Sequence, residues 1–192
     1  MILPLDKRPV IVALAGSNGA GKTTFYHAHL QPCGLRLVNA DILARELRVD
    51  AYGAAKMAEA LRERLVEQRE SFVFETVFSD PVGDKLAFLK GATDAGYHVV
   101  LCFIGIASPE TSDQRVAMRV SQGGHDVPWE KLETRFPRTL ANLKKAIQVL
   151  PSVTIFDNED LNHPFKRVAM FEKGIATFLA QPLPRWLVPL LP

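Results

Sequence analysis

Short apolar runs alternate with longer stretches of mixed polarity along most of this chain. Five of the runs predict buried strands of a mostly parallel sheet. They lie at 10–15, 35–39, 71–76, 97–106 and 153–156. The stretches between them fit helices, and this alternation is typical of an α/β fold in which helices connect neighbouring parallel strands.

The clearest helical pattern covers 52–69, where apolar residues recur every three to four positions and predict one buried face. These residues are Ala55, Ala58, Leu61, Leu65 and Val66. Further helices are predicted at 81–95, from 109 to the Gly123-Gly124 pair, and at 128–149. Ser108 is expected to cap the helix that begins at Pro109. A small C-terminal β-hairpin, about 165–180, is expected to turn at Lys173 and Gly174.

A glycine-rich segment, 16–23, follows the first apolar run and fits the phosphate-binding pattern G-x-x-x-x-G-K-[ST] without a mismatch. Glycines allow a tight turn whose N–H groups point at phosphate oxygens, and the start of the next helix adds positive potential. Lys22 is expected to reach the β- and γ-phosphates of a nucleoside triphosphate, and the Thr23 hydroxyl to ligate Mg²⁺. The predicted nucleotide-binding residues are Gly16, Ser17, Asn18, Gly19, Ala20, Gly21, Lys22, Thr23 and Thr24. The alternative is a glycine-rich strand-to-helix turn that matches the phosphate-binding pattern by chance.

Acidic or amide residues follow three of the predicted strands, at the edge where open parallel sheets bind ligands: Asp41, Glu75 and Asp157-Asn158. Asp41 is either the N-cap of a helix or a general base on a substrate hydroxyl, and both roles can coexist. Glu75 ends an otherwise apolar strand, where a carboxylate needs a hydrogen-bond, ion-pair or metal partner. The alternative is that its side chain simply extends into water. No acidic residue ends the run 99–105, so Asp41 and Glu75 are the candidate metal ligands besides Thr23.

Four arginines form the next candidate group. Arg115 and Arg119 are one helical turn apart and share a face, and Arg135 and Arg138 follow a glycine pair that could act as a hinge. Planar guanidinium groups suit the oxygens of a transferring phosphoryl group, so we expect a lid at about 108–138. A solvated basic helix face is the alternative. His125, in the same segment, is either a ligand contact or polar surface.

Composition narrows the class of protein. At 192 residues, 47% hydrophobic and 23% charged, the chain is expected to form a single soluble domain over 1–192. A net charge of +2 is too mild to favour a nucleic-acid or membrane partner. Two cysteines, Cys33 and Cys102, allow no disulfide framework, and neither a secretory leader nor a spanning apolar run is evident. A cytoplasmic location is therefore expected.

The chain resembles the zeta-toxin-like P-loop kinases, and in particular their short stand-alone branch. The resemblance covers about 10–160 and is carried by six segments in order. They are 16–23, 38–41, 74–76, 115–120, 123–128 and 135–143. The segment Gly-Gly-His-Asp-Val-Pro at 123–128 is the most specific to the branch. The chain departs from the family pattern at Val77, where many relatives have a second threonine directly after Glu75-Thr76.

This resemblance implies an α/β P-loop kinase fold: a three-layer sandwich with a mostly parallel five-stranded sheet, a helical lid and the C-terminal hairpin. Members phosphorylate a hydroxyl of UDP-N-acetylglucosamine with ATP and Mg²⁺, and an antitoxin protein often partners them. By that likeness Lys22, Asp41, Arg115 and Arg119 are catalytic. The substrate-binding residues would be Asp41, Glu75, Thr76, His125 and Arg138. A kinase of another nucleotide or sugar, or a nucleotide-binding regulator with slow ATPase activity, stays open as an alternative.

Overall fold

The computed structural model of this chain describes residues 3, 5–124 and 126–192. Within them, seven strands form one sheet. The strands are β1 (Val10–Ala15), β2 (Arg36–Val38), β3 (Phe72–Thr76), β4 (His98–Gly105), β5 (Ser152–Asp157), β6 (Lys166–Glu172) and β7 (Ile175–Leu179). Their order across the sheet is β2-β3-β1-β4-β5-β6-β7. The non-sequential order means that the chain crosses over the sheet repeatedly, as the alternating pattern predicts.

The sheet is mostly parallel, which confirms the expected fold class. Strands β1 to β5 pair in parallel, whereas β5–β6 and β6–β7 pair antiparallel. The expectation of five sheet strands beside a separate hairpin is wrong in this respect, because the hairpin joins the sheet. The physical reason is hydrophobic burial. Val168, Ala169 and Phe171 of β6 are buried against the core, so β6 extends the sheet beside β5.

Helices cover both faces of the sheet. They are α1 (Lys22–Phe25), α2 (Ala40–Leu47), α3 (Ala51–Glu67), α4 (Asp84–Asp94), α5 (Pro109–Ser121) and α6 (Trp129–Val149). The helix expected directly after the glycine-rich segment is irregular: α1 is followed by a π-helical turn, Tyr26–Leu30, and a 3₁₀ turn, Gln31–Cys33. The cap expected at Ser108 is confirmed, since its side chain accepts from the Thr111 backbone N–H at 3.3 Å.

Alternate residues of β1 separate the core into two layers. Ile11, Ala13 and Ala15 belong to one hydrophobic cluster, and Val10, Val12 and Leu14 belong to the other. Because successive side chains of a strand point to opposite faces, both faces of β1 are covered. This produces the expected three-layer arrangement and leaves the ends of the strands free to build a site.

The helix predicted over 52–69 is α3, and its predicted apolar face is largely confirmed. Ala58 and Leu65 are buried, and Leu61 and Val66 are half-buried and pack against the core, whereas Ala55 is exposed. Arg62 is buried beside them. Sequence periodicity did not place an arginine on that face because apolar residues were assumed to define it.

Among the described residues, no helix combines the length and the apolar character that crossing a membrane would require.

Candidate active site

A cleft of about 930 Å³ opens at the carboxyl ends of β1, β2 and β3. Most of the residues predicted for the site line this cleft: Asn18, Gly19, Gly21, Lys22, Thr23, Thr24, Asp41, Glu75, Thr76, Arg115, Arg119 and Arg138. Gly16, Ser17 and Ala20 belong to the same glycine-rich segment but are not among the lining residues. His125 lies outside the described residues. The cleft therefore sits at the sheet edge where open α/β proteins bind ligands.

Two glycines of the 16–23 segment are required by its geometry. Gly16 has φ +147°, and a Cβ atom there would overlap the carbonyl oxygen of Ile104. Gly21 has φ +93°, and a Cβ atom there would lie 2.7 Å from the side-chain nitrogen of Asn158. Because only glycine adopts such backbone conformations without a clash, the chain can make this turn only with glycine at these positions.

Lys22 is folded back onto the segment that precedes it. Its Nζ donates to the carbonyl oxygens of Gly16 and Ser17, each at 2.9 Å, and lies 3.8 Å from Glu75 Oε1. The side chain is only 7% exposed. Burial lowers the pKa of Lys22, while the charges of Glu75 and Asp41 oppose that shift. The ammonium is thus held at the floor of the cleft by fixed oxygens.

Glu75 is the hub of the polar network in the cleft. Its Oε2 accepts hydrogen bonds from Thr23 Oγ1 at 3.0 Å and from Asn39 Nδ2 at 2.8 Å. With 13% of its side chain exposed, Glu75 does not simply extend into water. The carboxylate joins the first helical turn after the glycines to the end of β2, and this lowers the cost of burying its charge.

Asp41 does not cap its helix. The N-cap of α2 is Asn39, whose Oδ1 accepts from the backbone N–H groups of Asp41 and Ile42 at 2.8 and 3.3 Å. The cap role considered for Asp41 is therefore wrong by two residues, because the helix begins at Ala40. Asp41 lies in the first turn, where a negative charge is favourable, and its exposed side chain lines the cleft.

The oxygen atoms around Thr23 fit a magnesium ion that is shared with phosphates. Thr23 Oγ1 and Glu75 Oε2 lie 3.0 Å apart, and Asp41 lines the same cleft. No group of three or more His, Cys, Asp or Glu side chains converges on a common metal position within the part of the chain that the structure describes. Mg²⁺ characteristically keeps water and phosphate ligands and takes only one or two carboxylates from the protein, so this donor set suits it.

The helix that carries Arg115 and Arg119 is docked on the glycine-rich segment. Ser112 Oγ donates to the Asn18 carbonyl oxygen at 2.6 Å. Arg115 Nη2 donates to the Glu159 carbonyl oxygen at 3.0 Å, while its buried Nη1 has no hydrogen-bond partner among the described residues. Arg135 and Arg138 of α6 line the same cleft. The arginine pair of α5 and the arginine pair of α6 therefore line the same cleft.

Sequence reasoning did not assign roles to several residues that shape this site. Asn158 donates from Nδ2 to the Ala20 carbonyl oxygen at 2.8 Å, and its Oδ1 accepts from the Phe165 backbone N–H. Asn39 and Ser112 act in the contacts above, and Arg62 of α3 also lines the cleft. The signals were weak: Asn39 lies two residues before Asp41 in segment 38–41, and Arg62 falls at helical spacing from Ala58.

Three solved structures share the fold. The AvrRxo1-ORF1:-ORF2 complex with ATP gives a TM-score of 0.70 at 18% identity, covering 90% of this chain and 61% of the matched chain. The PezAT toxin–antitoxin system of Streptococcus pneumoniae gives 0.61 at 20% identity, covering 84% and 72%. A putative kinase from Chloroflexus aurantiacus gives 0.58 at 18% identity, covering 82% and 92%. At these identities the likeness establishes the fold, that of a P-loop kinase, and the chain spans about three fifths of the AvrRxo1-ORF1:-ORF2 chain that it matches.

Sequence comparison defines the family. An uncharacterized protein of Haemophilus influenzae is 26% identical over 126 residues, which is 63% of this chain and 88% of that protein. The zeta toxin family model matches residues 48–167, a segment that contains Glu75, Arg115, Arg119 and Arg138 and begins after the glycine-rich segment. That match covers well over half of the 192 residues, so this chain belongs to the zeta toxin family.

Proposed function

We propose that this chain is an ATP-dependent kinase that transfers the γ-phosphoryl group of ATP to a hydroxyl of a small molecule. The observation that supports this best is the network around Glu75, which brings Thr23 and Lys22 into one cleft with Asp41. A nucleotide-binding regulator would need the phosphate-binding residues but not a free carboxylate beside them. The exposed Asp41 side chain in that cleft therefore favours a kinase over a regulator.

In this proposal the glycine-rich segment and Lys22 bind the phosphates of ATP. Backbone N–H groups at the start of α1 are directed at phosphate oxygens, and the Lys22 ammonium exchanges its contacts with loop carbonyls for the β- and γ-phosphates. Thr23 and Glu75 would hold Mg²⁺, and Asp41, which lines the same cleft, is the further candidate ligand. When bound, the ion would neutralise charge on the β- and γ-phosphates.

Asp41 acts as the general base. It accepts the proton of the acceptor hydroxyl while the hydroxyl oxygen bonds to the γ-phosphorus, and the bond from that phosphorus to the β-phosphate oxygen breaks to release ADP. Arg115 and Arg119 contact the equatorial oxygens of the transferring group, where a planar guanidinium is most effective. Segment 108–138 is proposed as the lid that carries these arginines over the triphosphate.

UDP-N-acetylglucosamine is the first acceptor to test, because it is the acceptor that the zeta-toxin resemblance implies. Thr76, Arg138 and His125 are proposed to contact the acceptor together with Glu75. A kinase of another nucleotide or sugar stays the alternative, since Val77 replaces a hydroxyl that many relatives carry. The name of the PezAT system describes a toxin with its antitoxin, and we propose that an antitoxin protein also binds this chain. An ATP-dependent enzyme of this kind would act in the cytoplasm.

The test is a screen of ATP consumption by the purified chain with Mg²⁺ against UDP-sugars, nucleosides and polyols, with product masses measured. We expect one acceptor to gain a single phosphoryl group, and Lys22→Ala to abolish the product. Slow ATP hydrolysis that no acceptor accelerates would contradict the kinase and favour the regulator.

A further inference from the structure

Arg62 is a buried cation on the wall of the cleft. It lies on the inner face of α3, is only 6% exposed, and lines the cleft that also contains Glu75. Its guanidinium carbon is 5.2 Å from the ring centre of Phe74 and 5.6 Å from that of Phe88. Two aromatic rings therefore hold the guanidinium in place and support its charge.

Among the described residues, no carboxylate is within ion-pair distance of the guanidinium. Arg62 makes no hydrogen bond or ion pair with any described residue, and its Nε atom is fully buried without an acceptor. Burial lowers the pKa of Arg62, and the charges of Glu59 and Glu63 offset this only in part. An unpaired charge at a core position is costly, and an apolar side chain would stabilise the fold better. The position therefore indicates a ligand rather than a structural role.

The surroundings of Arg62 indicate what that ligand carries. On the same helix, Ala51, Ala55 and Ala58 line the cleft, and their small side chains leave space. Lys56 and Lys85 add two positive charges to the lining of the cleft, and Glu59 adds one negative charge. Both carboxylate oxygens of Asp80, also in the lining, are buried without a hydrogen-bond partner among the described residues. An anionic group that faces Arg62 and hydroxyl or amide donors that face Asp80 would satisfy both.

We propose that Arg62 is a specificity-determining residue of the acceptor subsite, which binds an anionic group of the acceptor, a phosphate, diphosphate or carboxylate. The proposal rests on the proposed kinase function and adds to it a residue that selects the acceptor. Arg62 lies on a helix that follows β2, whereas the glycine-rich segment follows β1. The proposal therefore assigns to Arg62 a charge of the acceptor rather than the triphosphate of ATP.

The experiment measures binding, so that it does not depend on turnover. Protein saturated with Mg²⁺ and the non-hydrolysable analogue AMP-PNP, which occupies the glycine-rich segment, is titrated calorimetrically. The anionic probes are UDP-N-acetylglucosamine, glucose 6-phosphate and gluconate, and the uncharged probes are N-acetylglucosamine and glucose. Comparison of glucose 6-phosphate with gluconate separates a phosphate receptor from a carboxylate receptor.

Three variants test the residue. Arg62→Met keeps an unbranched stem against Phe74 and Phe88, and Arg62→Lys keeps the charge without the planar fork. Arg64→Met is the matched control, because Arg64 is on the same helix but 65% exposed and paired with Glu67. We expect Arg62→Met to weaken binding of an anionic probe at least about tenfold, Arg62→Lys to weaken it less, and Arg64→Met to leave it unchanged. AMP-PNP affinity should stay the same in all three.

The outcomes separate this proposal from the function on which it rests. Equal affinity of wild type for charged and uncharged probes, no binding of any anionic probe, or unchanged anion binding in Arg62→Met would each overturn it. Should Arg62→Met fail to fold, Arg62→Lys decides by the same criterion. An Arg62-dependent anion site in a protein that phosphorylates none of the bound probes would support the receptor and count against the kinase.

Discussion

Asn39 donates its side-chain amide to Glu75 Oε2 at 2.8 Å, while its side-chain oxygen caps the helix that carries Asp41. A single side chain therefore connects the end of β3 to the start of α2. The proposed magnesium ligand and the proposed general base are positioned relative to each other through this residue.

Replacement of Asn39 should separate the cap from the contact with Glu75. Asn39→Asp keeps an acceptor for the Asp41 N–H but places a carboxylate against Glu75, so we expect folding to persist and phosphoryl transfer to be lost. Asn39→Ala loses both contacts, and loss of the cap costs about 1 kcal/mol. Thermal unfolding and steady-state rates measure the two effects. Asp50→Ala, which removes the N-cap of α3, is the control and should lower stability without a comparable loss of rate.

Replacement of Lys22 by alanine should abolish ATP turnover. The lysine contributes charge at the phosphates, and its loss also leaves Glu75 without its cation. We expect a folded protein with cooperative unfolding and no phosphoryl transfer, whereas Lys90→Ala, on an exposed position of α4, should behave as wild type. Wild-type turnover in Lys22→Ala would exclude the phosphate-binding role.

Asp41→Asn should keep ATP binding and lose transfer, because an amide cannot accept the hydroxyl proton. Loss of a general base costs about 10²–10⁴-fold in rate. Since Asn39 caps the helix, the substitution should cost only the favourable first-turn charge, about 0.3–1 kcal/mol. Glu46→Gln on the same helix is the matched control for a lost carboxylate. A rate within about threefold of wild type, together with normal ATP binding, would remove Asp41 from the catalytic residues.

Arg115→Ala and Arg119→Ala should each lower the rate more than they weaken ATP binding. In a loose transition state the equatorial oxygens of the transferring phosphoryl group carry negative charge, and the guanidinium groups are proposed to stabilise that charge. Lysine should restore only part of the rate. Steady-state kinetics and an ATP titration on each variant provide the measurement, and Arg64→Ala is the exposed control. Unchanged rates in both alanine variants would identify an ordinary basic helix face.

Thiol labelling checks the packing of the central sheet. Cys102 is fully buried in β4, and burial raises the pKa of its thiol well above the ordinary value, so the reactive thiolate is suppressed. Cys33 is exposed. Iodoacetamide should therefore modify Cys33 alone in the native protein and both cysteines in denaturant, as read by mass spectrometry. Rapid native labelling of Cys102 would contradict the burial of β4.

Periodicity predicted most helices and strands within a few residues, because each depends on side chains close together in the chain. It failed where long-range packing decided the outcome. Arg62 joins the buried residues of α3, which periodicity reserved for apolar side chains, because its guanidinium packs against the Phe74 and Phe88 rings. The hairpin joined the sheet because β5 offered it an unpaired edge. Neither fact leaves a local pattern in the sequence.

By itself, the sequence determined the strand–glycine–helix segment at 16–23, the alternating α/β order, and Asp41, Glu75 and the arginines as candidates, since each follows from local spacing. The tertiary structure alone decided which of them meet. The Thr23–Glu75 bond joins residues 52 positions apart, and the Asn158–Ala20 bond joins residues 138 positions apart. Such contacts depend on strand order and on the side from which each loop returns, and hydrophobic burial over the whole chain sets both.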